Sequence, residues 1–82
     1  MIQVKFFGLA RLALKINKLE LEAKTVGSAL EKISEMYDSI SLKELKNCVI
    51  FVNGTNIVED RRFNTKLNDG DEVHIISPSS GG

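Results

Sequence analysis

The sequence ends in Gly81-Gly82, and two glycines there put a free carboxylate on an arm without side chains, able to enter a cleft that any Cβ would block. A carboxylate is itself a poor electrophile. Activated by ATP as an acyl adenylate, its carbonyl becomes open to attack by sulfur or by an amine. Ser77-Pro78-Ser79-Ser80-Gly81-Gly82 has no apolar side chain to anchor it, so it reads as a mobile, extended tail with a reach of about 20 Å. Taken alone, such a stretch is also what an ordinary frayed terminus looks like. The other reactive residue types offer less. Cys48 opens the apolar run Cys48-Val49-Ile50-Phe51-Val52, where a thiol is inert packing without the electropositive neighbours that lower its pKa. His74 lies between Val73 and Ile75 and should point to the opposite sheet face from them. With no Cys, His or acid at ligand spacing, it reads as a surface residue and not as a metal ligand. The pairs Glu20/Glu22 and Asp69/Asp71 alternate along exposed segments near turns and read as solvation. No Ser/His/Asp or Cys/His arrangement and no phosphate-cradling glycine loop can be assembled. Any chemistry is expected to centre on the terminal carboxylate of Gly82, with catalysis supplied by partner proteins.

The bulk properties agree. A chain of 82 residues is one small domain, too small for a deep enclosed active site beside its core. Eleven basic residues balance eleven acidic ones, so there is no basic field of the kind that binds phosphate backbones, and nucleic acid is not an expected partner. One cysteine excludes an intrachain disulfide and a Cys-rich zinc site. The start has no signal-peptide pattern and no window approaches a membrane span, which points to the cytoplasm. Asn53-Gly54-Thr55 then reads as a turn, not a glycosylation site.

Several elements must position the tail. Ile2, Val4 and Phe6 alternate with Gln3, Lys5 and Phe7, the period of a strand with one buried face. An irregular stretch is expected over residues 8–14. Leu19 and Leu21 alternate with Lys18, Glu20 and Glu22 as a charged edge strand. Val26, Ala29, Leu30, Ile33, Met36 and Tyr37 then fall on one face of an amphipathic helix capped by Thr25. Ser41 and Glu44 have capping-box spacing, with Ile40 and Leu45 placed as a staple. Cys48 to Val52 reads as a well-buried strand entering a hairpin at Asn53-Gly54, with Ile57 and Val58 as its return arm. Glu59-Asp60-Arg61-Arg62 reads as a solvated charge run. A turn over Leu67-Asn68-Asp69-Gly70-Asp71 leads into a last strand over 72–76. This order predicts an α+β fold, a mixed sheet with one main helix across one face and the first and last strands free to pair in parallel. That is the β-grasp, or ubiquitin-like, topology, with residues 1–76 as the domain and 77–82 as the flexible C-terminal tail.

With these features in place the chain resembles the MoaD/ThiS family of ubiquitin-like sulfur carriers over its full length. The resemblance is carried by Val4-Lys5-Phe6-Phe7-Gly8-Leu9-Ala10-Arg11-Leu12, by Phe51-Val52-Asn53-Gly54, by Leu67-Asn68-Asp69-Gly70-Asp71-Glu72-Val73 and by the terminal Gly81-Gly82. It implies that Gly82 is adenylated by an E1-like adenylyltransferase using ATP and magnesium, and is then converted to a thiocarboxylate with sulfur from a persulfide donor. The chain itself would bind no cofactor. Length and the Phe6-Phe7 opening favour the small subunit of molybdopterin synthase, whose tail inserts into the large subunit and gives sulfur to the pterin that holds molybdenum or tungsten. The alternatives are a modifier conjugated through Gly82 to lysines, a carrier for another pathway such as thiamine, and an interaction module with an inert tail. One departure stands out. Ile76 and Ser77 occupy positions where molybdopterin-type members carry an aromatic and a first proline, and only Pro78 is kept.

Alternation also marks a docking surface. If Ile2, Val4, Phe6, Val73 and Ile75 face the helix, then Lys5, Phe7, His74 and Ile76 face outward, joined by Val49 or Phe51. The residues expected to meet partners are therefore Pro78, Ser80 and Gly81 of the tail, with Ile76, Phe7 and Phe51 of the sheet. The competing expectation is that loops cover Phe7 and Ile76.

Overall fold

The computed structural model describes residues 1–57 and 62–77. Strand β1 (Ile2–Gly8) leads into a short helix α1 (Leu9–Leu14) and an edge strand β2 (Lys18–Leu21). The main helix α2 (Val26–Met36) and the short helix α3 (Leu42–Lys46) follow. The hairpin strands β3 (Val49–Val52) and β4 (Thr55–Asn56), a 3₁₀ turn (Arg62–Asn64) and β5 (Glu72–Ser77) complete the described chain.

The five strands form one mixed sheet in the order β2-β1-β5-β3-β4. At its centre β1 and β5 run parallel, with Val4 beside Val73 and Phe6 beside Ile75. Their flanking neighbours β2 and β3 are antiparallel to them. One face is closed. Ile2, Val4, Phe6, Ile50, Val73 and Ile75 are buried together with Val26, Ala29, Leu30 and Ile33 of α2. No polar or charged residue is buried among the described residues, so the side-chain contacts between the layers are apolar packing.

Both expected caps form. Thr25 and Ser28 cap α2 reciprocally, and Ser41 and Glu44 do the same for α3, with Ile40 and Leu45 buried as the staple requires. Asn53 and Gly54 take φ of 51° and 87°, the left-handed pair of a type I′ hairpin turn.

Four expectations need correction. Residues 9–14 are helical, not irregular: Ala10 and Leu14, four apart, turn into the core, and every residue of Leu9-Ala10-Arg11-Leu12-Ala13-Leu14 is tolerant of helix. Met36 overshoots the sheet and is exposed, Ile33 being the last buried residue of α2. The return arm is Thr55–Asn56 and not Ile57 with Val58, because Ile57 leaves the ladder to enter the core; Val58 lies outside the described residues, as do Glu59, Asp60 and Arg61 of the charge run. Cys48 precedes β3, half-buried at the exit of α3, and only Ile50 of the run is fully buried.

Candidate docking face and tail root

Among the described residues, the side chains on the second face of the sheet lie outside the buried core. The strand register places Phe7, Ile76 and Val49 in one row across β1, β5 and β3, and Lys5, His74 and Phe51 in the next. Both Val49 and Phe51 belong to this face, because the buried Ile50 between them points the other way. Phe7 remains 38% exposed, while Ile76 and Phe51 are half-buried by their neighbours. The apolar row therefore lies at the end of the sheet where β5 runs out, and polar character increases along the strands away from it. Beyond the basic row, Gln3 sits beside Glu20 on one side and Glu72 on the other.

His74 is tied into this face. Its Nε2 lies 2.5 Å from Oε1 of Glu72, and Lys5 Nζ lies 3.4 Å from the same oxygen. These contacts, the imidazole first, hold the Glu72 carboxyl below its ordinary range. The Phe7 ring packs against His74 with centroids 5.3 Å apart and planes tilted by 57°. A surface histidine was expected; its contacts with a carboxylate and an aromatic ring follow from a parallel register that local sequence does not contain.

The start of β5 is fastened to the hairpin. Asn53 accepts from the Glu72 amide at 3.0 Å through Oδ1, donates to Asp71 Oδ1 at 3.0 Å through Nδ2, and its own amide donates to the Glu72 carbonyl at 2.8 Å. Asp71 Oδ2 also accepts from the Asn68 amide at 2.8 Å, and this bond followed by the Asn53 bond draws the Asp71 carboxyl below its usual range. The two turn motifs thus lock to each other.

At its other end β5 finishes beside Gly8, which pairs with Ser77. Gly8 has φ of +69°, and a Cβ there would stand 2.7 Å from the Ser77 carbonyl oxygen, so only glycine lets the two strand ends approach this closely. Ser77, expected to open the tail, is the last residue of β5. Pro78, Ser80, Gly81 and Gly82 lie outside the described residues. Cys48 sits near this root. Its thiol donates to the Glu44 carbonyl at 3.3 Å, and burial, reinforced by the Glu44 charge and opposed by a hydrogen bond with Ser77, pushes its pKa up. A raised thiol pKa fits the inert role expected of it.

Sequence reasoning missed two contributors. Gly8 was legible as part of a turn but not as the support of the tail root, which needs the β1–β5 pairing. Leu9 and Leu12, 45% and 71% exposed, belong to a segment that carries the family resemblance, but their exposure is not legible without the helix α1. Among the described residues no group of three or more His, Cys, Asp or Glu is placed to hold a metal ion, and no helix is long and apolar enough to cross a membrane.

A mixed five-stranded sheet with α2 across one face is the β-grasp, ubiquitin-like fold. The ThiS family model matches residues 4–82, and the chain belongs to that family, one of ubiquitin-like sulfur carriers and modifiers whose members are small carriers rather than catalysts. The small archaeal modifier protein 1 of Methanosarcina acetivorans has a similar structure, with 26% identity over 99% of this chain and 95% of that one and a TM-score of 0.86. A complex of subunits 1 and 2 of molybdopterin-converting factor from Helicobacter pylori contains a chain with 26% identity over 99% of this chain and 97% of that one, at a TM-score of 0.66. Urm1 from Trypanosoma brucei shares the fold at a TM-score of 0.78, with 23% identity over 99% and 94% of the two chains. No curated protein matches by sequence.

Proposed function

We propose that this protein is a sulfur carrier for molybdopterin synthesis. Its Gly82 carboxylate is adenylated by an E1-like adenylyltransferase with ATP and magnesium, the outer sulfur of a persulfide donor then displaces AMP to form an acyl disulfide, and a thiol cleaves that S–S bond to leave the thiocarboxylate and a disulfide. The large subunit of molybdopterin synthase receives the tail and passes the sulfur to the pterin. The observation that carries this reading is the family match over residues 4–82, which runs through Gly81-Gly82. The open face beside the root of β5 supports it, since Phe7, Ile76 and Phe51 can dock a partner while Pro78, Ser80 and Gly81 thread its active site. The Helicobacter pylori relative, seen with its second subunit, favours the molybdopterin branch.

The similarity to an archaeal modifier protein favours a second reading, in which a lysine amine captures the activated Gly82. Intact mass of the untagged protein from its native cells, beside a variant lacking Gly82, separates the two. A mass increase matching one oxygen replaced by sulfur, present only with Gly82, is the expected result. Unshifted mass with Gly-Gly remnants on lysines of other proteins would assign the modifier role. Unshifted mass without adducts would leave an interaction module with an inert tail.

A further inference from the structure

The charges of this chain are segregated although they cancel. Residues 1–18 hold Lys5, Arg11, Lys15 and Lys18 and no acid, and all eleven acidic residues begin at Glu20. The fold concentrates part of that charge on the open face, where the antiparallel register sets Lys18 directly beside Lys5. Like charges opposite one another destabilise a sheet. Glu72 is shared between Lys5 and His74, which leaves the Lys18 end of the row without a described acidic partner.

Exposed apolar side chains gather in the same stretch. Of the five large hydrophobic residues exposed among the described residues, Phe7, Leu9 and Leu12 lie within six positions of one another. Phe7 and Leu9 flank Gly8, which abuts Ser77 at the root of the tail. Leu12 at 71% exposure makes no contribution to the core, whose share of α1 comes from Ala10 and Leu14. These leucines are left out on a helix that packs against β1 and β5 and follows directly on Phe7 and Gly8 in the chain.

Resting on the carrier reading, we propose that α1 is the specificity element of docking. Leu9 and Leu12 enter an apolar depression on the adenylating enzyme that activates Gly82, and carboxylates at the rim of that depression meet Lys5 and Lys18. The occupant is thus a protein surface, apolar at its centre and acidic at its edge. A helix of six residues offers little apolar area to a bilayer, and Gly8, between Phe7 and Leu9, pairs with Ser77, the last residue of β5.

The test is ATP–pyrophosphate exchange by the purified adenylating enzyme of the same organism, with the full chain as the varied substrate. A Leu9→Glu/Leu12→Glu double variant is expected to raise KM by about tenfold or more with kcat unchanged. Lys5→Glu/Lys18→Glu is expected to raise KM at low salt, with the effect fading at high salt. Thermal melts check that each variant folds, and Leu12→Asp alone serves if the double variant does not. Wild-type KM in the folded variants overturns the docking assignment and leaves the carrier reading standing. A wild-type chain that the enzyme never adenylates overturns both. The assignment also falls if the leucines instead drive self-association, or binding to phosphatidylserine-containing vesicles that phosphatidylcholine vesicles do not reproduce.

Discussion

A Cβ at position 8 would stand 2.7 Å from the Ser77 carbonyl oxygen, on a residue whose φ is +69°. Both objections apply to any side chain, since the contact is with backbone and the conformation is one that L-residues rarely adopt. Gly8→Ala should therefore lose about 2–3 kcal/mol of stability in chemical denaturation. It should also displace the end of β5, and so lower the rate at which Gly82 is adenylated beyond what the fraction folded explains. Equal rates per folded molecule would show that the tail works independently of its root. At this scale the sequence was only partly legible. Gly8 announces an unusual backbone, but the atom it must accommodate belongs to a residue 69 positions away, and no local pattern names it. Cys48 shows the reverse: its apolar neighbours identify an unreactive thiol, and the half-buried site with a raised pKa agrees.

At the scale of elements, the β3–β4 turn locks onto the turn before β5. Asn53 supplies φ of 51° and hydrogen bonds to both Asp71 and Glu72. Asn53→Ala should cost about 2–3 kcal/mol, combining the left-handed backbone with the lost bonds. Asn53→Gly keeps the backbone freedom and should cost about half as much; identical losses would mean that the side-chain bonds contribute nothing. Asp71 adds a pH dependence. Its folded pKa is lowered, chiefly by the Asn68 amide and then by Asn53, so its stabilisation is present above the ordinary aspartate value of about 4 and is lost as pH falls through the folded value. Asp71→Asn should be less stable than wild type near neutrality, by under about 1 kcal/mol because solvent screens the site, and the gap should close as pH falls through the folded Asp71 value. A gap that persists in acid would assign the effect to shape rather than charge. Both turns, the Thr25 cap and the Ser41/Glu44 capping box were legible, because each is signalled by residues within four positions. The six-residue α1 was not, since one and a half turns carry too little periodicity to register.

Across the whole molecule, one central strand serves two purposes on its two faces. Phe6 and Phe7 are adjacent and chemically identical, yet Phe6 is 1% exposed against α2 and Phe7 is 38% exposed on the open face. The strand period read from sequence separates them, whereas the parallel pairing that sets each beside Ile75 and Ile76 depends on the long crossover through α2. An 82-residue chain has a stability on the order of 4–12 kcal/mol. Phe6→Ala removes about 3–5 kcal/mol of that by leaving a cavity, and should lower the melting temperature by more than about 15 °C. Phe7→Ala should cost about 1–2 kcal/mol, less than Phe6→Ala because more of the residue stays in water, but should raise the KM of adenylation several-fold by removing the most exposed side chain of the apolar row. Melting curves and exchange kinetics on the two variants separate folding from docking on one strand. If Phe7→Ala melts as low as Phe6→Ala, the open face is a second packed layer, and the partner must dock elsewhere.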